Sequence, residues 1–337
     1  MTTSDDRPDL HIGTILHCTD ISQYRDNVVL ADELGYEVIG NGENPLRCRE
    51  LYVCLGMAAS LTKRAHIGPM VTNPVMRHDA VTASSMATLD AWTGGRAVLG
   101  FGAGGGPRHA MKLQVTREEI GQSITTIRTL LAGGPSPWED RPLTFPAEHP
   151  VPVVLSAYGP RTARLGGEVA DAVLWAGGHR PEVLARAKAE IREGAHSAGR
   201  NPADVQLWVL ARAAIADSRR EALVGIRGNL ASAGGHGLRS EVQLETVPLE
   251  LRDRMRGLQA GYSEGAHLAC DGPNALLMDE LGLTDYLGER FAIAGTPDEV
   301  RAQAHELAAQ GVSHLLCPAT DRDPDRFLTD FAAAVRL

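Results

Sequence analysis

The spacing of hydrophobic positions alternates regularly along nearly the whole chain. Short runs of β-branched and aliphatic residues are followed by longer segments in which apolar residues recur every three or four positions. This is the pattern of strands alternating with amphipathic helices. The runs predicted to be strands are LHIGTIL, YEVIG, AHIGPMVT, RAVLGFG, VPVVLSAY, DAVLWAG, DVQLWVLARAAIA and VSHLLCPA. Because most of them are apolar throughout, they predict a parallel sheet with both faces covered by helices.

Residues with capping chemistry mark some of the helix ends. Thr116, with Glu119 three residues later, has the spacing of a capping box and predicts that a helix begins there. Gly35 predicts the end of the first helix, because glycine readily adopts the left-handed conformation found after helix C-termini. These local signals support the alternation that the hydrophobic pattern indicates.

Eight strand–helix units can form a doubly wound open sheet or a closed barrel, since both share this local pattern. The (β/α)8 barrel is favoured, because eight units fit its usual length of about 250 residues and leave room for insertions. The chain is therefore interpreted as one barrel domain over residues 1–337, with insertions at about 134–150 and 219–290. The second insertion is glycine-rich and precedes the last strand, so it is interpreted as a lid.

Composition and charge exclude several classes of protein. The net charge is −9 and no basic run occurs, so nucleic-acid binding is not expected. No apolar stretch approaches the ~20 residues of a membrane helix, and the N-terminus does not resemble a signal peptide. The five cysteines form no C-x-x-C pair, which fits reduced thiols in the cytoplasm and predicts neither disulfides nor a metal site.

In a (β/α)8 barrel the loops that follow the strands form the active site, so counting strands selects candidate residues. His17 and Cys18 follow the first strand, and Glu43 follows the second. Glu43 is a candidate for proton transfer or for bonding a ring or substrate. The alternative is a loop acid bonded to nearby backbone. His17 as a second catalytic residue and Cys18 as a substrate contact are suggested by position alone.

Glycines after the fourth strand indicate close approach of the backbone to a ligand. Gly100-x-Gly102-x-x-Gly105 has the spacing of a dinucleotide-binding fingerprint. It follows a fourth strand rather than opening a βαβ unit, however, so the fingerprint interpretation is disfavoured. The favoured interpretation is that Gly102, Ala103 and Gly104 let the chain approach a cofactor tail.

The motif GPRT opens a helix directly after the fifth strand. Gly159, Pro160 and Arg161 are predicted to bind a phosphate, because a helix N-terminus offers free N–H groups and arginine adds positive charge. The alternative is a proline at the first position of an ordinary helix. An anionic cofactor bound to a net-acidic protein would need such a positive patch.

The stretch TNPVMRHDAVTASSMATLDAWTGGRAVLGFGAG, Thr72–Gly104, resembles the luciferase-like monooxygenase superfamily. More narrowly, it is similar to the branch of methylenetetrahydromethanopterin reductases and other enzymes that use the deazaflavin coenzyme F-420. Similarity continues in order through Asn41–Val53, Ser156–Leu174, Gly261–Leu277 and Arg290–Gln303. The resemblance implies the barrel fold, a planar tricyclic redox ring at the carboxyl ends of the strands, and a homodimer.

The resemblance also assigns roles to residues after the third strand. This segment matches a bulge with a non-proline cis peptide bond behind the ring, which places Met70, Val71, Thr72 and Asn73 at the cofactor. Met70 stands where relatives commonly have glycine. The alternatives are an ordinary buried strand with methionine as filler and a turn closed by Asn73 and the following proline.

Further roles follow from the resemblance in other loops. Arg77 and His78 are predicted to brace the barrel by ion pairing and helix capping. Trp175, after the sixth strand, either stacks on the ring or substrate or is a core side chain. Tyr262 and His267 match a tyrosine–histidine loop and are predicted to contact substrate. The glutamate after the second strand stands where relatives usually carry aspartate.

Three hypotheses for the function follow. The favoured one is an oxidoreductase that transfers a hydride between coenzyme F-420 and a small organic substrate. The motif TNPVMRH favours the deazaflavin over a flavin. The first alternative is an FMN-dependent monooxygenase on the same barrel, since a flavin ring nitrogen permits an oxygen adduct and the deazaflavin carbon does not. The second is a non-catalytic flavin-binding protein, which the departures from the family pattern would allow.

Overall fold

The computed structural model describes residues 10–105, 111–266, 269–320 and 323–336. Its Cα positions divide the chain into two compact units. The N-terminal unit consists of Gly13–Leu174 together with Ala187–Val205. The C-terminal unit consists mainly of Trp175–Arg186 together with Gln206–Leu337.

Parallel strands order the N-terminal unit. They are β1 (His11–Leu16), β2 (Val38–Asn41), β3 (His66–Pro69), β4 (Leu99–Phe101), β5 (Val153–Ala157) and β6 (Ala172–Trp175). β1 pairs with β2 and β2 with β3, with Val38 opposite both Gly13 and His66. A bridge between Thr72 and Phe101 joins the chain after β3 to β4, which pairs with β5. All residues of β2 and β4 are buried, as expected for parallel strands covered on both faces.

Helices follow these strands where the sequence pattern predicts them. They are α1 (Ile21–Glu33), α2 (Leu51–Leu61), α3 (Asp79–Thr93), α4 (Arg117–Leu131), α5 (Pro160–Val169) and α6 (Pro181–Ser197). The predicted capping box is confirmed, because the Glu119 amide donates to Thr116 Oγ1 at 3.1 Å and the Thr116 amide donates to Glu119 Oε2 at 2.7 Å. Gly35 follows α1 with φ of 72°, as predicted. Residues 134–150 contain neither helix nor strand.

The C-terminal unit corrects one part of the strand prediction. Its strands are β7 (Gln206–Leu210), β8 (Arg212–Ile215), β9 (Ala292–Gly295) and β10 (His314–Pro318). The single strand predicted for DVQLWVLARAAIA is two strands, because β7 pairs with β10 and β8 pairs with β9. β9 was not predicted. Its sequence, AIAG, is short and contains a single β-branched residue, so its strand signal is weak.

The segment 219–290, predicted as an insertion, is largely helical. The helices of this unit are α7 (Arg219–Gly225), α8 (Arg227–Gly237), α9 (Glu241–Leu244), α10 (Arg252–Gly261), α11 (Pro273–Leu281), α12 (Thr284–Phe291), α13 (Pro297–Ala309) and α14 (Pro324–Arg336). Helices α8, α10, α11 and α12 bury Leu230, Leu258, Met278 and Leu287 in one hydrophobic cluster. A Cβ on Gly234 would lie 2.7 Å from a Leu287 methyl, so α8 and α12 pack closely. The cluster also includes Ala214 of β8 and Ala292 and Ala294 of β9, so the segment packs on these two strands.

Two further findings concern the described residues as a whole. Their helices include none with the length and apolar character needed to cross a bilayer. Nor do they contain a group of three histidine, cysteine, aspartate or glutamate side chains placed to hold a metal ion. All five cysteines are free thiols and are buried.

Candidate active site

Three neighbouring strands of the N-terminal unit bring the main sequence candidates to one edge. β2 is followed by Glu43, β3 by the segment 70–73, and β4 by the segment 102–104. Because the strands are parallel, their carboxyl ends meet at the same edge of the sheet. Counting strands in the sequence therefore selected residues that the fold brings together.

Glu43 is held by two side chains. It is buried, with 8% of its surface exposed. Thr72 Oγ1 donates a hydrogen bond of 2.7 Å to Glu43 Oε2, and Arg77 forms an ion pair with Glu43 Oε1. Both carboxylate oxygens thus bond to side chains, whereas the alternative drawn from the sequence expected a loop acid bonded to nearby backbone.

Arg77 links Glu43 to a second carboxylate. Its Nη2 is paired with Glu50, whose side chain is about half exposed, and its guanidinium carbon lies 4.9 Å from the centre of the Tyr52 ring. Burial lowers the pKa of Arg77 from its usual value, but the adjacent carboxylates favour the charged form. The predicted ion pairing is confirmed, and so is helix capping by His78, whose Nδ1 accepts from the Ala80 amide at 3.2 Å.

Met70 occupies space that two glycines leave open. The peptide bond between Met70 and Val71 is cis, as predicted, and Met70 is 5% exposed. A Cβ on Gly40 would collide with the Met70 side chain, and a Cβ on Gly100 would lie 2.7 Å from its sulfur. The glycines in β2 and β4 therefore accommodate methionine at a position where the resemblance implied glycine.

Two buried amide side chains keep hydrogen-bonding capacity near Glu43. Asn73 Oδ1 accepts from the Val75 and Met76 amides, both at 3.1 Å, which is the turn predicted as one alternative. Asn73 Nδ2, and both amide atoms of Asn41, have no hydrogen-bond partner among the described residues. Buried polar groups are rarely left in this state without a ligand or solvent partner. Asn41 was missed in the sequence, although a polar residue ending an apolar strand next to a candidate acid was a usable signal.

His17 and Cys18, which follow β1, differ in their surroundings. A Cβ on Gly42 would lie 2.8 Å from His17 Nε2, so the histidine ring packs against the residue that precedes Glu43. Cys18 is fully buried and is hydrogen-bonded with the Cys54 thiol. Burial raises the pKa of Cys54 to about 12, so the Cys54 thiol is neutral.

The segments predicted to hold a cofactor tail show conformations compatible with that role. Gly102 packs against Val71 and Ser156, with a hypothetical Cβ at 3.3 and 3.4 Å from them, and Gly104 has φ of 66°. Between these two glycines, Ala103 is exposed. Gly104 takes the left-handed conformation, which a residue with a side chain rarely adopts.

The α5 N-terminus has no side-chain cap. Gly159 is the N-cap residue and Pro160 is the first helical residue, so the predicted helix start is confirmed. Arg161 is exposed, and within the described chain no carboxylate lies at ion-pair distance from it. Free N–H groups and an uncompensated guanidinium favour an anion at this point.

The remaining candidates belong to the C-terminal unit. Trp175 is 5% exposed, and its indole N–H donates to the Gly178 carbonyl at 2.8 Å, as expected for a satisfied buried tryptophan. The Tyr262 ring meets the His236 ring edge-on, with centroids 5.7 Å apart. His267 lies outside the described residues.

The sequence profile of the luciferase-like monooxygenase family matches residues 2–314. The chain belongs to this family. Among its relatives is a 5,10-methylenetetrahydromethanopterin reductase of Methanolobus tindarius, 29% identical over 304 residues, with 85% of this chain and 87% of the relative aligned. A coenzyme F-420-dependent glucose-6-phosphate dehydrogenase of Kineococcus radiotolerans is 25% identical over 299 residues, with 84% and 80% aligned.

A solved structure shows the fold of this luciferase-like chain. The coenzyme F-420-dependent tetrahydromethanopterin reductase of Methanopyrus kandleri superposes with a TM-score of 0.77, covering 97% of this chain and 98% of the reductase at 22% identity. The predicted (β/α)8 barrel of the luciferase-like type is thereby confirmed. The resemblance inferred from the motifs is confirmed by the family match.

Proposed function

We propose that this protein is an oxidoreductase that transfers a hydride between coenzyme F-420 and a small organic substrate. Support comes from relatives named for F-420-dependent reactions and from the family to which the chain belongs. The observation that carries the proposal is the group of buried polar side chains after β2 and β3. Glu43 is fixed there beside the unpartnered amide groups of Asn41 and Asn73.

These residues fit a planar heterocycle with polar edges. Asn73 Nδ2 can donate to a ring carbonyl, and Asn41 can both donate and accept, as an imide edge requires. The bound coenzyme would supply the hydride or accept it, and the protein would supply orientation and electrostatics. Arg161 and the α5 N-terminus would hold the phosphate of the coenzyme.

Glu43 is proposed to handle the proton that accompanies hydride transfer. Its carboxylate is buried and kept in one place by Thr72 and Arg77, so it can meet a reacting group in a fixed orientation. His17, which packs against the preceding glycine, is the second candidate. Cys18, Trp175, Tyr262 and His267 are kept as proposed contacts to substrate or ring.

An FMN-dependent monooxygenase is the second candidate function, because the matching family is named for monooxygenases.

Identifying the cofactor tests the proposed function against this second candidate. The protein is purified from a deazaflavin-producing host, and the co-purifying small molecule is identified by absorption spectrum and mass. Titration of the cofactor-free protein with F-420 and with FMN follows. Tighter binding of F-420 is expected. If the protein retains FMN and consumes oxygen once the FMN is reduced, an FMN-dependent monooxygenase would replace F-420-dependent hydride transfer as the proposed function. Retained cofactor that no reductant or substrate turns over would support a binding protein.

The protein is further proposed to be a homodimer that associates through α2 and α3. Apart from Asp79 in the first turn of α3, the residues of these helices that are not buried carry no charge; they include Val53, Gly56, Met57, Ser60, Val81, Ser84, Ser85, Thr88, Ala91 and Trp92. Val53 is 72% exposed and Trp92 57% exposed, although both are apolar. A Cβ on Gly56 would lie 3.2 Å from the Trp92 ring, so the exposed faces of the two helices adjoin. Exposed apolar side chains grouped on a surface poor in charge are typical of subunit interfaces.

We also propose a cytoplasmic location for the protein. The five free, buried thiols fit a reducing compartment, which supports a cytoplasmic location.

The segment 219–290 is proposed to act as a lid that moves as one packed body, because its helices share a hydrophobic core. Slower proteolytic cleavage in this segment after addition of F-420 and substrate would support the lid. Cleavage first elsewhere, at a rate that ligands do not change, would oppose it.

A further inference from the structure

A polar cluster in the C-terminal unit lies where β7 and β10 end. Arg212 follows β7 after one residue, and Thr320 follows β10 after one residue. Arg212 Nε donates to the Asn229 carbonyl at 3.3 Å and Nη2 donates to Ser232 Oγ at 2.9 Å. Asn229 Nδ2 in turn donates to Thr320 Oγ1 at 2.8 Å. The cluster thus ties α8 to both strand ends, at the edge where barrel enzymes form their sites.

Arg212 uses fewer of its hydrogen-bond donors than Arg96 and Arg290 do. The guanidinium of Arg96 makes four hydrogen bonds and that of Arg290 also makes four, mostly to backbone carbonyls. Arg212 makes two, which leaves Nη1 without an acceptor among the described residues. It also forms no ion pair with any described carboxylate. The Arg212 guanidinium is therefore partly buried, has a spare donor and has no counter-charge among the residues that the structure describes.

The surroundings of Arg212 are fixed and do not supply that charge. Ser232 is 1% exposed and Asn229 is 4% exposed, so the partners of the guanidinium are immobilised in the core. The buried thiol of Cys317 is an acidic group near Arg212. Burial raises its pKa although Arg212 acts in the opposite direction, so the thiol is neutral. Among the described residues, therefore, no acidic group compensates the charge of Arg212.

We infer that Arg212 binds an oxyanion of the substrate, a carboxylate or a phosphate, with Ser232 and Asn229 holding the guanidinium in place. This inference rests on the proposed function, and it narrows the substrates to molecules that carry an acidic group. Planar guanidinium donors match the oxygens of such groups, and charge-assisted hydrogen bonds are the stronger ones in partly buried sites. An anion would supply the missing counter-charge.

The test measures anion binding by the whole protein without coenzyme. Inorganic phosphate and acetate are titrated separately by calorimetry into the wild-type protein and into the Arg212→Gln variant. Glutamine keeps one hydrogen-bond donor and removes the charge, so affinity for the bound anion should fall at least about tenfold. Arg326→Gln is the matched control, since it makes the same change in net charge at an exposed site of α14. Tighter binding of phosphate than of acetate would indicate a phosphorylated substrate, and the reverse order a carboxylic acid.

Binding of neither anion by the wild-type protein would overturn the inference, as would equal losses in the Arg212 and Arg326 variants. A Ser232→Ala variant covers the case in which Arg212→Gln does not fold; anion affinity should fall here too, and no change would count against the site. F-420 titration separates the inference from the proposed function. The Arg212→Gln variant is expected to bind F-420 as tightly as the wild type does. If its F-420 affinity falls as much as its anion affinity, Arg212 binds an anionic group of the coenzyme, and the inference is overturned.

Discussion

Thr72 Oγ1 donates a hydrogen bond of 2.7 Å to Glu43 Oε2, and this bond ties the chain after β3 to the loop after β2. The other oxygen of the same carboxylate is paired with Arg77. Because side chains from another loop hold both oxygens, the position of the carboxylate does not depend on its own loop alone. Groups that act on a bound ring or substrate need this kind of support to remain in a productive orientation.

Replacing Glu43 by glutamine should remove proton handling while keeping the shape of the side chain. Turnover with reduced F-420 is expected to fall by about 10²–10⁴-fold, the usual effect of losing a general acid or base. F-420 affinity should change far less, because an amide still accepts the hydrogen bond from Thr72. Glu43→Asp should retain partial activity. Single-turnover kinetics and a binding titration separate the two effects.

Glu50→Gln is the matched control for this substitution. Glu50 is paired with the same guanidinium as Glu43, but its side chain is about half exposed. Turnover close to that of the wild type is expected for this variant. Full activity of Glu43→Gln would make Glu43 a structural acid, and the proton donor would then have to be sought at His17.

Removing Arg77 should destabilise the protein through Glu43. Arg77→Met leaves a buried carboxylate without its counter-charge, and breaking a buried pair in this way costs about 3–5 kcal/mol. The double variant with Glu43→Gln should be less destabilised than the sum of the single variants, with a coupling of about 1–3 kcal/mol. Urea unfolding of the four proteins measures this cycle. Strict additivity would show that the two side chains do not interact.

The packing of Met70 against Gly40 makes a prediction of compensation. Gly40→Ala places a methyl group where the Met70 side chain lies, and overpacking of this kind costs about 1–3 kcal/mol. Met70→Ala alone should also destabilise, by about 2–5 kcal/mol, because it leaves a cavity. Together the two changes should cost less than their sum, since the new methyl enters the space that methionine leaves. Thermal unfolding tests this, and a cost equal to the sum or above it would contradict the packing.

Local sequence signals predicted those parts of the fold that local chemistry determines. The helix starting after Thr116 could be predicted because its cap and Glu119 are three residues apart. β9 could not, because its four residues have little intrinsic strand preference and are ordered by pairing with β8, far away in the sequence. For the same reason the sequence did not indicate that the long apolar run around Ala211 divides into two strands.

The candidate site could likewise be predicted from the sequence only in part. The position of Glu43 followed from counting strands, which is a matter of topology. That Glu43 is shared between Thr72 and Arg77, and that Asn41 has no partner, depends on how loops distant in sequence meet. Arg212 was not selected because one arginine in an apolar run gives no sign of whether a carboxylate lies near it.

A charge on the uncharged face of α2 and α3 should separate the proposed dimer. Trp92 is 57% exposed, and Trp92→Glu would bury a carboxylate at an apolar interface. Analytical ultracentrifugation should show a dimer for the wild type and a monomer for this variant, with unchanged circular dichroism. Trp138→Glu is the control, because Trp138 is similarly exposed at 49% but lies outside these helices. A dimer in both variants would place the interface elsewhere.

Arg161 should contribute to coenzyme affinity rather than to chemistry. The side chain is exposed at the start of α5 and forms no ion pair with the carboxylates that the structure describes, so a phosphate can take its charge. Arg161→Ala removes a charge-assisted hydrogen bond worth about 1.5–3 kcal/mol, so the Kd for F-420 should rise about tenfold to a hundredfold. Turnover at saturating coenzyme should stay near that of the wild type. Arg164→Ala, one turn further along the same helix and paired with Glu190, controls for loss of charge and should leave the Kd almost unchanged. Fluorescence titration measures both variants, and an equal Kd in wild type and Arg161→Ala would remove the phosphate assignment from this helix.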